Sequence, residues 1–143
     1  IINSAKDTRS HEEILKTHDN VKFDCHKVFD PFEIINTDEF DKADIIAIDE
    51  GQFFPRLKKF VECCLHVNKS VILAGLDADS FQEKFGELID CIPLACDVTK
   101  LSALCMRCND GTLGPFTKRI VDDKTLELIG GSDMYIATCR NHL

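Results

Sequence analysis

The segment Ile45-Ile46-Ala47-Ile48-Asp49-Glu50-Gly51, matched further on by Ser70-Val71-Ile72-Leu73-Ala74-Gly75-Leu76-Asp77, decides how this chain is read. Each begins as a run of β-forming residues apolar on both faces, the pattern of a parallel strand covered by helices on each side, and each ends in an acid. Between them, Leu57, Phe60, Val61, Cys64 and Leu65 fall at i, i+3, i+4, i+7 and i+8 after Pro55. That spacing predicts an amphipathic helix over 56–68 and gives Cys64 a core position. Strand, helix, strand reads as a right-handed βαβ unit, with its site beyond the carboxyl ends of the strands. The fold class is α/β.

Outward from this unit the pattern weakens. Ile1-Ile2 reads as a short strand, the polar stretch from Ala5 to Asn20 as a surface loop, and residues 21–32 mix apolar and charged side chains without a clean period. On the other side, 81–91 is predicted as a short helix and 94–104 as a third strand region. From Cys105 onward Gly111, Gly114-Pro115 and Gly130-Gly131 punctuate hairpin-like pieces, with no internal repeat. The expected division is an α/β core over 1–104 and a small lobe over 105–143.

At 143 residues, with 44% hydrophobic and 29% charged side chains, the chain fits one soluble domain with a small satellite. No apolar run approaches the roughly 18 residues of a membrane helix, and the N-terminus has no signal-peptide pattern. Beginning at Ile1 rather than Met, the chain is expected to be a fragment or a processed form. The net charge is −8; residues 1–50 carry 6 basic and 13 acidic side chains, residues 100–143 carry 6 and 5. That balance argues against a basic groove for nucleic acid. Eight cysteines without a secretory signal point to free thiols in a reducing, cytoplasmic compartment plus one metal site, rather than a disulfide lattice.

Two constellations carry chemistry. In phosphotransferases an Asp placed like Asp49 holds Mg²⁺, while a neighbouring acid such as Glu50 takes the proton from an attacking hydroxyl. The alternative is two acids capping a turn or a helix start. Cys105-x-x-Cys108 and Cys139-x-x-His142 supply three thiolates and an imidazole, a full tetrahedral set for a structural Zn²⁺. Here the alternative is two buried thiols near a chance Cys and a frayed terminal His. Gly130-Gly131 is a hairpin turn, or a loop offering main-chain groups to a flat ligand with Tyr135 closing it. Asp7 and Arg9 could orient a phosphate or hydroxyl, although an isolated loop Arg is more often solvated. No Gly-x-x-x-x-Gly-Lys-[Ser/Thr] occurs in these residues.

Taken together, Ala5-Lys6-Asp7-Thr8-Arg9, Thr17-His18-Asp19, Ile48-Asp49-Glu50-Gly51-Gln52-Phe53-Phe54-Pro55, Ala74-Gly75-Leu76-Asp77, Thr99-Lys100-Leu101 with Cys105-Met106-x-Cys108, Phe116-Thr117-Lys118-Arg119 and Ile129-Gly130-Gly131-Ser132-Asp133-Met134-Tyr135 closely resemble the zinc-containing cytosolic type of thymidine kinase. The matches run in order over essentially the whole chain. The resemblance implies a P-loop-type parallel-sheet core and a small C-terminal zinc-ribbon lobe whose lasso loop covers the nucleoside. It implies transfer of the γ-phosphoryl of ATP to the 5′-hydroxyl of thymidine, and of deoxyuridine, with Glu50 as general base, Asp49 associated with Mg²⁺, and Arg9 and Asp7 positioning the reacting groups. Phe53, Leu76, Phe85, Thr117 and Tyr135 fall at nucleoside-pocket positions. Leu126, Leu128, Ile129 and Gly130 match the lasso, whose main chain reads the pyrimidine edge. The family is typically a homotetramer, and its triphosphate product can act in feedback.

The chain departs from the family pattern in places. His142 stands where the fourth zinc ligand is usually Cys, a chemically acceptable exchange. The Pro normally found before the second Phe of 81–85 is missing, and the link 109–115 is about two residues longer than usual. The family's P-loop lies N-terminal to the Asp-Thr-Arg segment, so these residues alone are not expected to bind ATP productively, and catalysis is expected of a longer parent protein. The competing reading is a non-catalytic zinc-ribbon, nucleotide-binding fragment acting through association. A zinc-ribbon nucleic-acid module is a third, opposed by the acidic charge.

Overall fold

The computed structural model describes residues 1–7, 13–17, 19–121 and 134–143. The chain forms two compact units, Ile1–Asp77 with Phe85–Ala95 and Ala78–Lys84 with Cys96–Leu143.

The first unit holds strands β1 (Ile2–Ser4), β2 (Ile14–Lys16), β3 (Lys22–Asp24), β4 (His26–Val28), β5 (Ile45–Ile48) and β6 (Ser70–Leu73), with helices α1 (Asp38–Lys42) and α2 (Leu57–His66). A four-stranded sheet runs in the order β4-β1-β5-β6 with every pair parallel. The βαβ unit forms as the sequence predicts: β5 and β6 pair from Ile45↔Ser70 to Ile48↔Leu73, with α2 connecting them. Residues 21–32, without a readable period, contribute β4. The stretch read as a surface loop contributes β2, which pairs with β3 from residues 21–32 in a hairpin closed by a main-chain hydrogen bond from Thr17 to Val21 and by Asn20 in the left-handed region.

Among the described residues the helices pack on one face of β5 and β6, where the sequence pattern predicts helices on both. Ile2, Ile46 and Ile48 are buried on the face that packs with Leu57, Phe60, Val61 and Cys64 of α2 and Phe40 of α1. Ile45 and Ile72 project from the other face and are 58% and 60% exposed among the described residues. The apolar stripe of α2 is confirmed except at Leu65, which is 40% exposed at its margin. Phe60 sits at the centre, edge-on to Phe32 and tilted against Phe40. Cys64 is fully buried, and burial together with neighbouring Cys63 pushes its thiol up to about 11, consistent with an inert core residue.

The start of α2 shows how a helix end is satisfied from a distance. Its N-cap residue Arg56 has a left-handed backbone and offers no side-chain cap, but the main-chain N–H of Lys58 donates to Glu87 Oε2 at 3.0 Å. The carboxylate also faces the positive end of the helix. Replacing Glu87 by Ala should cost about 1 kcal/mol of core stability, read from urea unfolding, because it removes a cap. An unchanged midpoint and slope would deny Glu87 that role.

The helix expected over 81–91 does not form. Asp79 Oδ1 accepts from the N–H groups of Phe81 at 2.8 Å and Glu83 at 3.0 Å, and Gln82 has φ +66°, so a side chain ties the backbone into a turn. Gly86, at φ +59°, blocks continuation, and only Ile89–Leu94 winds into a 3₁₀ segment.

The second unit is built from antiparallel pairs: β7 (Ala103–Leu104) with β8 (Leu113–Gly114), and β9 (Phe116–Arg119) with β10 (Tyr135–Thr138), followed by a 3₁₀ turn Arg140–His142. The strand expected across 94–104 shrinks to the two residues of β7; 95–102 adopt no regular element, and Leu101 is 85% exposed. Among the described residues no helix is long and apolar enough to cross a membrane.

Candidate active site and metal centre

Parallel strands deliver the candidate acids to one end of the sheet. Past β5, the Asp49 N–H donates to Ile2 O and the Gly51 N–H to Ala74 O, each at 2.9 Å, so residues 49–51 are held between the first residue of β1 and the residue that follows β6. Gly51 is closely surrounded there: a Cβ would lie 2.7 Å from Leu73 Cδ1 and 3.3 Å from Ala74 O, so neighbouring side chains would have to shift to admit one. Glu50 takes the left-handed conformation, φ 53° and ψ 41°, which turns the chain sharply off the strand into the 3₁₀ turn Gly51–Phe53. A non-glycine residue pays about 1–2 kcal/mol for that conformation, a cost tolerated where geometry is functional.

Asp7 lies just beyond the carboxyl end of β1 and is buried, its Oδ2 accepting from Asn3 Nδ2 at 3.2 Å, while Lys27 Nζ donates to its main-chain O at 2.8 Å. Phe53 and Phe85 meet edge to face with centroids 5.4 Å apart, and Leu76 is 44% exposed beyond β6. The structure thus brings Glu50, Phe53, Leu76 and Phe85 onto the turns that follow β5 and β6. One residue given no role from sequence joins them. Gln52 is buried and bonds both Glu50 and the main chain at Leu76; its signal in the sequence is its place in the Asp49–Pro55 string, two residues after Glu50.

In the second unit, Thr117 and Tyr135 occupy one face of the β9–β10 hairpin, as the pairings Ala137↔Thr117 and Tyr135↔Arg119 require. Arg119, also unassigned from sequence, donates to the Tyr135 hydroxyl at 2.9 Å and lies over the Tyr135 and Phe81 rings. Arg9, Leu126, Leu128, Ile129 and Gly130 lie outside the described residues.

Cys105, Cys108, Cys139 and His142 converge, with all ligand atoms within 4.8 Å of one another. The sulfurs of Cys108 and Cys139 are 3.6 Å apart, and His142 Nδ1 lies 3.7, 3.3 and 3.4 Å from the sulfurs of Cys105, Cys108 and Cys139. Metal bonds of about 2.3 Å to sulfur and 2.0–2.1 Å to nitrogen give tetrahedral edges of about 3.8 and 3.6 Å, so the set fits zinc. Burial opposes ionisation of Cys105, but main-chain N–H groups at Cys139, Cys108 and Arg107 and the His142 ring outweigh it and bring the thiol to about 6. Burial and the adjacent sulfurs of Cys139 and Cys105 push Cys108 up to about 11. Crowded sulfurs that resist a second negative charge without a cation are what a metal ion relieves. Four protein ligands leave no open position.

A family model described as thymidine kinase matches residues 1–143. The chain belongs to the thymidine kinase family. Its similarity to curated thymidine kinases is high throughout: 42% identity over 148 residues to "Thymidine kinase a" of Arabidopsis thaliana, covering 99% of this chain and 60% of that protein. The rice (Oryza sativa subsp. japonica) "Thymidine kinase" is also 42% identical over 148 residues, covering 99% of this chain and 53% of its own length. "Thymidine kinase, cytosolic" of Bos taurus is 36% identical over 140 residues, covering 98% and 57%. The chain therefore spans a little over half the length of each of these relatives. Against that family background, the parallel α/β core and the Cys₃His cluster are the two features of the sequence-based reading that the structure bears out.

Proposed function

We propose that the full-length protein is a thymidine kinase transferring the γ-phosphoryl group of ATP to the 5′-hydroxyl of thymidine, and of deoxyuridine. The observation carrying this reading is Asp49-Glu50 at the carboxyl end of a central parallel strand, in a chain of the thymidine kinase family. Glu50 accepts the 5′-hydroxyl proton as that oxygen bonds to the γ-phosphorus; the bond from phosphorus to the bridging oxygen breaks and ADP leaves. The half-buried Asp49 would hold Mg²⁺ through a hard carboxylate oxygen, and the ion would supply neutralisation of charge on the phosphoryl oxygens.

In the core, Asp7 and Arg9 position the reacting groups, and Phe53, Leu76 and Phe85 supply apolar contacts to the nucleoside. In the lobe, Thr117 and Tyr135 are nucleoside contacts, the main chain at Leu126, Leu128, Ile129 and Gly130 reads the pyrimidine edge as a lasso, and Cys105, Cys108, Cys139 and His142 hold zinc as a structural staple. A P-loop in the full-length protein, a homotetrameric assembly and feedback by the triphosphate product belong to the same reading. A cytoplasmic location does too, supported by the name of the bovine relative, "Thymidine kinase, cytosolic". The non-catalytic fragment is not favoured, since the matched relatives are named as kinases.

The test is direct: the full-length protein with Mg²⁺, ATP and thymidine should release thymidine 5′-monophosphate and ADP in equal amounts, seen by chromatography. ATP hydrolysis without nucleoside phosphorylation, or no turnover of either nucleoside, would refute the reading.

A further inference from the structure

Gln52 is only 3% exposed, and both ends of its amide are committed. Its Oε1 accepts from the main-chain N–H of Leu76 at 3.0 Å, and its Nε2 donates to Glu50 Oε2 at 2.6 Å. The amide cannot turn over. A main-chain N–H demands the oxygen at one end, and an ionised carboxylate demands the N–H at the other. The cradle has no slack either. A Cβ on Gly75 would lie 2.4 Å from Gln52 Oε1, and one on Gly86 would lie 2.3 Å from Gln52 O, with Gly86 already at φ +59°. The turns after β5 and β6 and the turn at 85–86 therefore close around this one side chain.

Glu50 has three rotatable side-chain bonds and a left-handed backbone, so its carboxylate direction is not set by the strand. We propose that Gln52 is a positioning residue for Glu50, holding the carboxylate through Oε2 and fixing its orientation against the end of β6. The inference rests on Glu50 acting as the base. The physical need is strict, because a misplacement of about 1 Å at a reacting group costs on the order of 10²-fold in rate. A charge-assisted hydrogen bond from a side chain that is itself locked supplies that precision without touching the substrate.

Gln52→Glu isolates the role in the full-length protein. It keeps an acceptor for the Leu76 N–H and removes the donor to Glu50. The expected result is a kcat lower by about 10–100-fold with the thymidine KM within about threefold of the parent, together with a lower Tm because the new carboxylate faces that of Glu50. In a Glu50→Gln background the same change should cost almost nothing further in kcat, since no proton-accepting carboxylate remains to be positioned. Should Gln52→Glu not fold, Gln52→Met fills the same volume and should give the same split of kcat from KM. A kcat within twofold of the parent in a folded Gln52 variant, or a KM that rises as kcat falls, would overturn the proposal. Full activity of Glu50→Gln alone would instead remove the base assignment, so the two failures are distinguishable.

Discussion

Replacing Glu50 by Gln in the full-length protein should lower kcat by about 10²–10⁴-fold, the usual contribution of a positioned general base. At about 1.4 kcal/mol per tenfold, that is roughly 3–5 kcal/mol of transition-state stabilisation. The exchange is close to isosteric, and the new amide oxygen can still accept from Gln52 Nε2, so the turn Gly51–Phe53 should keep its form. What disappears is the capacity to take a proton. Because that capacity is used only as the nucleophile forms, thymidine affinity measured by calorimetry should change by less than about threefold. A kcat within threefold of the parent would assign proton removal to another group. A weakened Kd with intact kcat would make Glu50 a binding residue.

Removing the metal ligands should give the other large effect, on the lobe rather than on the chemistry. Strands of two residues, such as β7 and β8, cannot stabilise themselves. The buried side chains around them, Cys105, Cys139, Ile136 and Thr138, form a small core. Binding of a structural zinc, worth about 10–16 kcal/mol in small metal-folded domains, would supply the missing stability. The staple reaches the hairpin that carries Thr117 and Tyr135: Lys118 Nζ donates to His142 O at 2.9 Å, and Arg140 lies 4.2 Å from the Phe116 ring centroid. Purified protein should carry about one zinc per chain by elemental analysis, and Cys108→Ser combined with His142→Ala should abolish it. The doubly substituted protein should become sensitive to trypsin within 96–143 while the parallel core resists. Full zinc content in that variant, or a protease-resistant lobe without metal in the parent, would exclude the Cys₃His assignment.

How much of this was legible in the sequence depended on the range of the interaction. The strands β5 and β6 and the helix α2 could be read because their signals are local. A run of β-branched residues, or a stripe at helical spacing, needs no knowledge of what it packs against. The convergence of Cys105, Cys108, Cys139 and His142 was legible because short Cys-x-x-Cys and Cys-x-x-His spacings are those that zinc coordination uses. The helix expected over 81–91 failed for a local reason of another kind: the Asp79 carboxylate captures the backbone N–H groups of Phe81 and Glu83 and outcompetes helix formation.

The amino-acid pattern alone thus determined the α/β class, the Asp49-Glu50 pair beyond a parallel strand, the kinase family resemblance and the metal set, since each is written in neighbouring residues. Tertiary structure alone decided that β1 is inserted between β4 and β5, that the apolar residues Ile45 and Ile72 face outward, and that Gln52 bonds Glu50 to the Leu76 main chain. Those outcomes depend on parallel pairing and packing between segments far apart in the chain, where the choice of partner is set by the shape and hydrogen-bonding needs of the whole core and leaves no mark in any one stretch of sequence.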